Sequence, residues 1–577
     1  MVEAISYLSA NVLGMPWGIA PAFIFFAGAG FVALLRGWPQ RAVLLLTPVV
    51  GGLNIAFLEA GNFGHYELFD YGLLMVRADT LSLLFGYLFH LAAFIGALFA
   101  LQVRDTGQHV AGLAYAGSAL GAVFAGDLIT LFVFWELLAL TSVYLVWARR
   151  DEESLGSGTR YLIIQVASGV LLLAGAAIHL GDTGSLAFDK IGLGSTASVL
   201  IFLAFGIKCA FPLFHNWLTD AYPAATPTGT VFLGAFTTKV AVYALARGFP
   251  GTELLVYIGA LMTAFPIFYA VIENDLRRVL CYSMINQIGF MVCGIGIGTA
   301  LAINGAVSHA FNDVIFKGLL FMSMGAVLHM TGRINGSDLG GLYKTMPFTT
   351  GLCIVGAASI SAFPLFSGFV SKSMVMTAAL AEGYDFIWFV LLFASAGVFH
   401  HAGIKIPYFA FFAHDSGIRT KDPPWNMLLA MVIAASICIF NGSYPWVLYS
   451  LLPFPVAYEP FTYGHVVAQL QLLFFSALAF AWLMLTGRYP PELVSINIDV
   501  EWLYRRLGVR MYHTIANAIS ELGQEVRTST LAQIDDIVAE VFRLHGPNGV
   551  LARNWPTGGM VLWVAILLAV VLIFYYA

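Results

Sequence analysis

The pentapeptide Ala210-Phe211-Pro212-Leu213-Phe214 returns, identical, as Ala362-Phe363-Pro364-Leu365-Phe366. Each copy sets a proline inside a long apolar run, and each has a lysine close by, Lys208 before the first and Lys372 after the second. Proline removes a backbone donor and breaks a helix. Inside a bilayer such a break is tolerated where it is buried in protein or lines a polar cavity. Paired breaks in two halves of a chain point to a transporter built from repeats.

The surrounding sequence has the composition of a membrane protein. Of 577 residues, 59% are hydrophobic and 10% charged, against about one quarter charged in a soluble domain. Apolar runs begin near residues 17, 42, 79, 109, 128, 160, 197, 224, 252, 279, 300, 347, 384, 426, 465 and 559, each about the 20 residues that a membrane-spanning helix needs. They are continuous rather than alternating, which excludes a β-barrel. The first, from about Trp17 to Leu35, lacks a basic lead and a small-residue cleavage site, so it reads as a permanent span. The net charge is −5 with no basic block, which leaves nucleic acid without a docking surface. All five cysteines fall in apolar runs with no CxxC spacing, so no metal, cofactor or redox centre is expected on this chain.

Loops after odd-numbered spans carry twelve basic residues and loops after even-numbered spans three, Arg77, Lys190 and Arg247. The positive-inside rule then puts the odd loops in the cytoplasm and the N-terminus outside. Residues 491–556 are polar, yet Ile515, Ile519, Leu522 and Val526 recur at helical steps, the mark of an amphipathic helix lying on a flat partner. A last apolar run follows from about Gly559 to Tyr576. The fold expected is an all-α polytopic membrane protein of about 14–16 transmembrane helices with two inverted five-helix repeats, each with a broken helix. Its parts are 1–105 (helices 1–3), 106–250 (first repeat, helices 4–8), 251–415 (second repeat, helices 9–13), 416–490 (helices 14–15) and 491–577 (amphipathic and terminal helices).

Charges inside the spans narrow the function. Five of eight lysines (Lys208, Lys239, Lys317, Lys372, Lys405) lie in or at the edge of spans, whereas all nineteen arginines can be placed in loops, span edges or the C-terminal segment. Lysine can lose its proton when desolvated and arginine cannot, so this division suits changes of protonation. A charge at mid-bilayer costs about 2.5–3.5 kcal/mol on insertion scales, which asks for a functional reason. Glu136, in an otherwise apolar stretch, is the obvious counter-charge to Lys208. Lys239 has room to snorkel to an interface if its span is shifted by a turn. His309, Asp313 and Lys317 stand at i, i+4 and i+8, one helical stripe suited to a proton relay. His400 and His401 precede Lys405 near a span end, where a plain interface role competes with a relay role.

Together these motifs resemble the antiporter-like membrane subunits shared by respiratory complex I, group 4 membrane-bound hydrogenases and Mrp-type multisubunit cation/proton antiporters. The matching stretches run from Asp79-Thr80-Leu81-Ser82 through Phe134-Trp135-Glu136, Phe205-Gly206-Ile207-Lys208 with His215, Trp217 and Asp220, and Thr238-Lys239-Val240. They continue through Asp275-Leu276-Arg277-Arg278, Tyr282-Ser283 and Phe316-Lys317-Gly318 to Gly368-Phe369-Val370-Ser371-Lys372. The resemblance implies a glutamate–lysine pair (Glu136, Lys208), a central lysine (Lys239), a histidine/lysine region (His309, Lys317) and a terminal lysine (Lys372), with His215, Asp220, His400, His401 and Lys405 as accessory positions. It also implies that the C-terminal segment is a short form of the lateral helix of the largest such complex I subunit. Three departures stand out: Asp313 where the family usually has histidine, Thr219-Asp220-Ala221-Tyr222 where proline and histidine are common, and Pro212 one residue closer to its lysine than usual.

The function expected is proton translocation by one membrane subunit of an antiporter complex, with sodium or potassium as exchange ion, nearest the Mrp D type and set in a bacterial inner membrane. The alternative is the same module in a redox-driven complex I-like or hydrogenase-like enzyme whose partner subunits hold the cofactors. A solute carrier or a bare scaffold would not need a line of buried lysines.

Overall fold

The computed structural model describes residues 20–68, 71–494, 497–554 and 556–576. Two compact units divide between Asn497 and Ile498. The first begins with α1 (Pro21–Leu34), α2 (Trp38–Ala56), an antiparallel hairpin β1 (Gly61–Leu68) and β2 (Tyr71–Ala78), and α3 (Thr80–Phe99). Helices α4 (Thr106–Phe124), α5 (Leu128–Trp147), α6 (Glu152–Thr183), α7 (Thr196–Lys208), α8 (Asn216–Ala224), α9 (Pro227–Ala235) and α10 (Thr237–Gly248) follow. Then come α11 (Leu254–Ile272), α12 (Leu276–Ile297), α13 (Ala300–Thr331), α14 (Pro347–Ile360), α15 (Ser367–Ala381) and α16 (Asp385–Val398), the last continued by π-helical turns at Phe399–Lys405 and Tyr408–Phe412. The unit closes with α17 (Trp425–Ser443), the short α18 (Trp446–Tyr449) and α19 (Tyr463–Leu485).

Among the described residues, eleven helices, counting α9–α10 as one and α16 with its π-helical turns as one, are long and apolar enough to cross a membrane, and three shorter apolar ones are α1, α7 and α14. The protein is a polytopic, mostly helical membrane protein. From residue 42 onward, each expected start meets a helix. The start near Trp17, and with it the placement of the N-terminus outside, falls outside the described residues; α1 is described from Pro21.

One element departs from an all-α expectation. Residues 61–78 pair as a hairpin with Gly61 opposite Ala78 and Phe63 opposite Val76. On β2, Leu73, Val76 and Ala78 are buried, and the Leu74 N–H donates to Asp127 Oδ2 at 2.7 Å, which ties the hairpin to the start of α5. An eight-residue strand was hidden by the stronger apolar runs on either side.

Several local features recur in the two halves. Asp127 caps α5 and bridges to Ala187, and Asp275 caps α12 and bridges to Asn335. Both α6 and α13 are 32 residues long and end on a left-handed glycine, Gly184 and Gly332. The second unit holds α20 (Val509–His545) and α21 (Thr557–Tyr576). Continuous over 37 residues, α20 keeps Ile515, Ile519, Leu522 and Val526 on one stripe.

Candidate functional site

Both copies of the pentapeptide break a helix in the same way. Ala210 and Leu213 take φ of 61° and 74°, and Ala362 and Leu365 take 58° and 72°. Non-glycine residues in this region cost about 1–3 kcal/mol each and persist where the surroundings hold them, often at functional sites. The breaks also release carbonyls. That of Ile207 accepts the Trp217 indole N–H at 2.9 Å, and that of Ile360 accepts Lys372 Nζ at 3.1 Å. The second break thus supplies its own lysine with a partner.

At the first break, Lys208 is fully buried; its Nζ donates to the Trp135 carbonyl at 2.5 Å and lies 4.5 Å from the centre of the Trp135 ring. Among the described residues, no ion pair joins it to Glu136. The two carry no direct ion pair because consecutive helical residues point about 100° apart and it is Trp135 that Lys208 touches, but the charges of Glu136 and Lys208 still act on each other. Glu136 instead lies against Gly169, where an added Cβ would collide with Glu136 Oε1, and that oxygen is buried without a hydrogen-bond partner among the described residues.

The central lysine does not snorkel. Lys239 Nζ lies 2.7 Å from Asp313 Oδ2, with both side chains 0% exposed, so the pair joins α10 of the first half to α13 of the second. Asp313 Oδ1 has no hydrogen-bond partner among the described residues. Along α13 the expected stripe divides, because His309, Asp313 and Lys317 each turn to a different neighbour. Lys317 Nζ donates to Ser283 Oγ at 2.8 Å.

His309 bridges two elements, Nδ1 to Ser371 Oγ at 3.0 Å and Nε2 to Gln287 Oε1 at 3.1 Å. A backbone carbonyl sets the direction of this chain: Asn286 Nδ2 donates to the Thr263 carbonyl, Gln287 Nε2 donates to Asn286 Oδ1 at 2.6 Å, and Gln287 Oε1 must therefore accept from His309 Nε2–H. Nδ1 is left as the nitrogen that takes a proton, on the Ser371 side. Lys372 is the next residue, with Nζ 5.0 Å from the Phe290 ring centre.

The accessory positions scatter. Asp220 accepts two hydrogen bonds from Arg160, at 2.7 and 3.0 Å, which commits it to a bidentate pair away from the lysines. His215 is buried with its ring 4.8 Å from that of Phe265. His400 packs on Phe480 and Tyr489, while His401 and Lys405 are fully buried in the π-helical turn. Sequence reasoning missed Trp135, Ser283, Gln287 and Ser371 as partners of the charged groups. Ser283 and Ser371 lay within quoted motifs, and Gln287 is one turn beyond Ser283, so a search for polar residues at helical spacing opposite the lysines would have found them.

Residues 125–399 match the family described as NADH:quinone oxidoreductase/Mrp antiporter, TM. Over 427 residues the chain is 30% identical to the A component of the Na(+)/H(+) antiporter of Alkalihalophilus pseudofirmus, covering 65% of this chain and 53% of the relative. It is 26% identical to hydrogenase-4 component B of Escherichia coli K12, covering 64% and 62%. The chain thus spans between about half and three fifths of these relatives' own length. Among solved structures, a chain of the membrane-bound sulfane sulfur reductase, an archaeal respiratory membrane complex, shares the fold with a TM-score of 0.71 at 20% identity, covering 96% of this chain and 99% of that one.

Proposed function

From the premise that residues 125–399 are an antiporter-like membrane module, we propose that the chain conducts protons as one membrane subunit of a larger complex in a bacterial inner membrane. The observation that carries this reading is the Lys239–Asp313 pair, fully buried at 2.7 Å and joining the two halves. Buried pairs gain little over apolar packing, and this one stands among Lys208, Lys317, Lys372 and His309, all buried. With two carboxylates, Asp313 and Glu136, for four lysines, charging another group in this cluster is costly, so an incoming proton displaces one already held. Protonation of Asp313 releases Lys239, and the excess charge passes toward either end. Sodium or potassium is the exchange ion in this reading, and the odd-numbered loops face the cytoplasm.

Proton flux into proteoliposomes holding the full chain with its copurifying subunits, driven by a potassium diffusion potential and read by a pH-sensitive dye, tests the proposal. Asp313→Asn and Lys239→Ala abolish flux, and the surface variant Asp415→Asn does not. Wild-type flux in Asp313→Asn refutes it.

The second reading, a redox-driven assembly, draws on the match to hydrogenase-4 component B. Cysteine-rich soluble proteins in the purified complex decide for it, and their absence decides for a stand-alone antiporter.

A further inference from the structure

Glu492 lies in the polar stretch after α19, where no periodicity marks it. Its Oε1 is 2.9 Å from Lys405 Nζ, with the two side chains 6% and 0% exposed. Lys405 Nζ also donates to the Val271 and Glu273 carbonyls at 2.6 Å each and to the Ala270 carbonyl at 3.3 Å. These belong to the C-terminal end of α11, so the ammonium satisfies the open carbonyls of that helix and meets its negative end. Lys405 sits on a π-helical turn, a rare device frequently found at functional sites.

The same turn carries His401, fully buried, whose Nε2 has no hydrogen-bond partner among the described residues. His401 stands four residues before Lys405 on that turn, and the charges of Lys317, His400 and Lys405 all act on it. On the far side of Lys405, Glu273 stands beside Glu492 and is held by Asn497 at 3.1 Å and Arg278 at 4.0 Å. Sequence reasoning ended at Lys372 and Lys405; the structure continues to two carboxylates.

We infer that Lys405 and Glu492 form a proton-exchange site at one end of the buried route, fed from Lys317 through His401 and emptied through Glu492. The inference rests on the proton-conducting reading above. An N–H bond of Lys405 breaks as an O–H bond forms on Glu492, leaving a neutral amine and a neutral carboxylic acid. The acid then gives its proton to water, and His401 supplies the next one to the amine. Glu492 faces Lys405 and Glu273, with Tyr489 alongside, Arg278 and Asn497 behind Glu273, and His400 and His401 on the turn of Lys405. Burial pushes the Glu492 carboxyl up, against the lowering effect of Lys405. The site lies where α11, the π-helical turn and the stretch after α19 meet, and all three lead into loops after odd-numbered spans, the face that the positive-inside rule gives to the cytoplasm.

The test uses the purified full-chain complex in proteoliposomes. Glu492→Gln lowers proton flux at least tenfold and flattens its pH profile, while Glu492→Asp keeps most of the flux. Infrared difference spectra of the same preparations show a protonated-carboxyl band on acidification that is missing in Glu492→Gln. Flux that falls equally in Glu492→Asp and Glu492→Gln, with an unchanged pH profile, makes Glu492 a packing residue and overturns the inference. So does near-wild-type flux in Glu492→Gln. If Asp313→Asn blocks flux and Glu492→Gln does not, this exit alone is wrong; if neither matters, the proton-conducting reading fails with it.

Discussion

At the first break the lysine precedes the pentapeptide and is held by a carbonyl and a ring face of α5; at the second it follows the pentapeptide and is held by the carbonyl that the break releases. The backbone turns the same way at both pentapeptides, with positive φ at the same two positions of each. Their chemistry differs. Glu136 in the first half acts on Lys208 through its charge without closing an ion pair, whereas Asp313 in the second half reaches across to Lys239 of the first. Two breaks of the same form supply two places where charge can be held, and the side chains then divide the roles between them.

Breaking the central pair tests this contrast most severely. Removing one member of a buried pair leaves an uncompensated charge and costs about 3–5 kcal/mol, so Lys239→Ala and Asp313→Asn each lower the unfolding midpoint sharply and abolish flux. The double variant Lys239→Met/Asp313→Leu recovers the midpoint without recovering flux. Recovery of both would reduce the pair to a packing device.

A double-mutant cycle sharpens the comparison next. Coupling between Lys239 and Asp313 is expected at about 2–3 kcal/mol, the upper part of the range for contacting residues. Between Glu136 and Lys208, whose charges act on each other without an ion pair, it should be smaller, about 0.5–1 kcal/mol, the lower part of the same range. Equal couplings in denaturant unfolding would erase the difference between the halves.

Gly169→Ala is a smaller intervention. The new methyl displaces the Glu136 carboxylate, the flexible end of a side chain, so stability changes by less than about 1 kcal/mol. Flux falls severalfold because Glu136 is moved, and the equivalent change at Gly351, which has open space around it, leaves flux untouched.

The smallest effect lies at the cap of α3. Burial alone would raise the Asp79 carboxyl, but the hydrogen bond and charge of Arg247, with the Ser82 N–H and Arg77, hold it below the usual carboxylate range. A depressed folded-state pKa contributes stability above the unfolded value, lost as pH falls through the folded one. Asp79→Asn is therefore less stable than wild type at neutral pH, and the two midpoints converge as the medium is acidified below the normal aspartate range. Midpoints that stay parallel throughout would remove the ion pair from the account.

Helix positions, the two breaks and the identity of the buried charges were legible in the sequence, because transfer from water to lipid is a local, additive property of each window of about 20 residues and proline acts on its own helix. Lys208, Lys239, Lys317 and Lys372 could be named for the same reason: a lysine in an apolar run is conspicuous wherever it points. Which partner each one meets was not legible. Asp313 is one turn from Lys317 in sequence and 2.7 Å from Lys239 in space, Glu136 acts on Lys208 without closing an ion pair, and Glu492 finds Lys405 from a stretch with no pattern at all. A helical residue turns about 100° from its neighbour, so pairing depends on how each helix is rotated and packed against the others, and only the tertiary structure decided that.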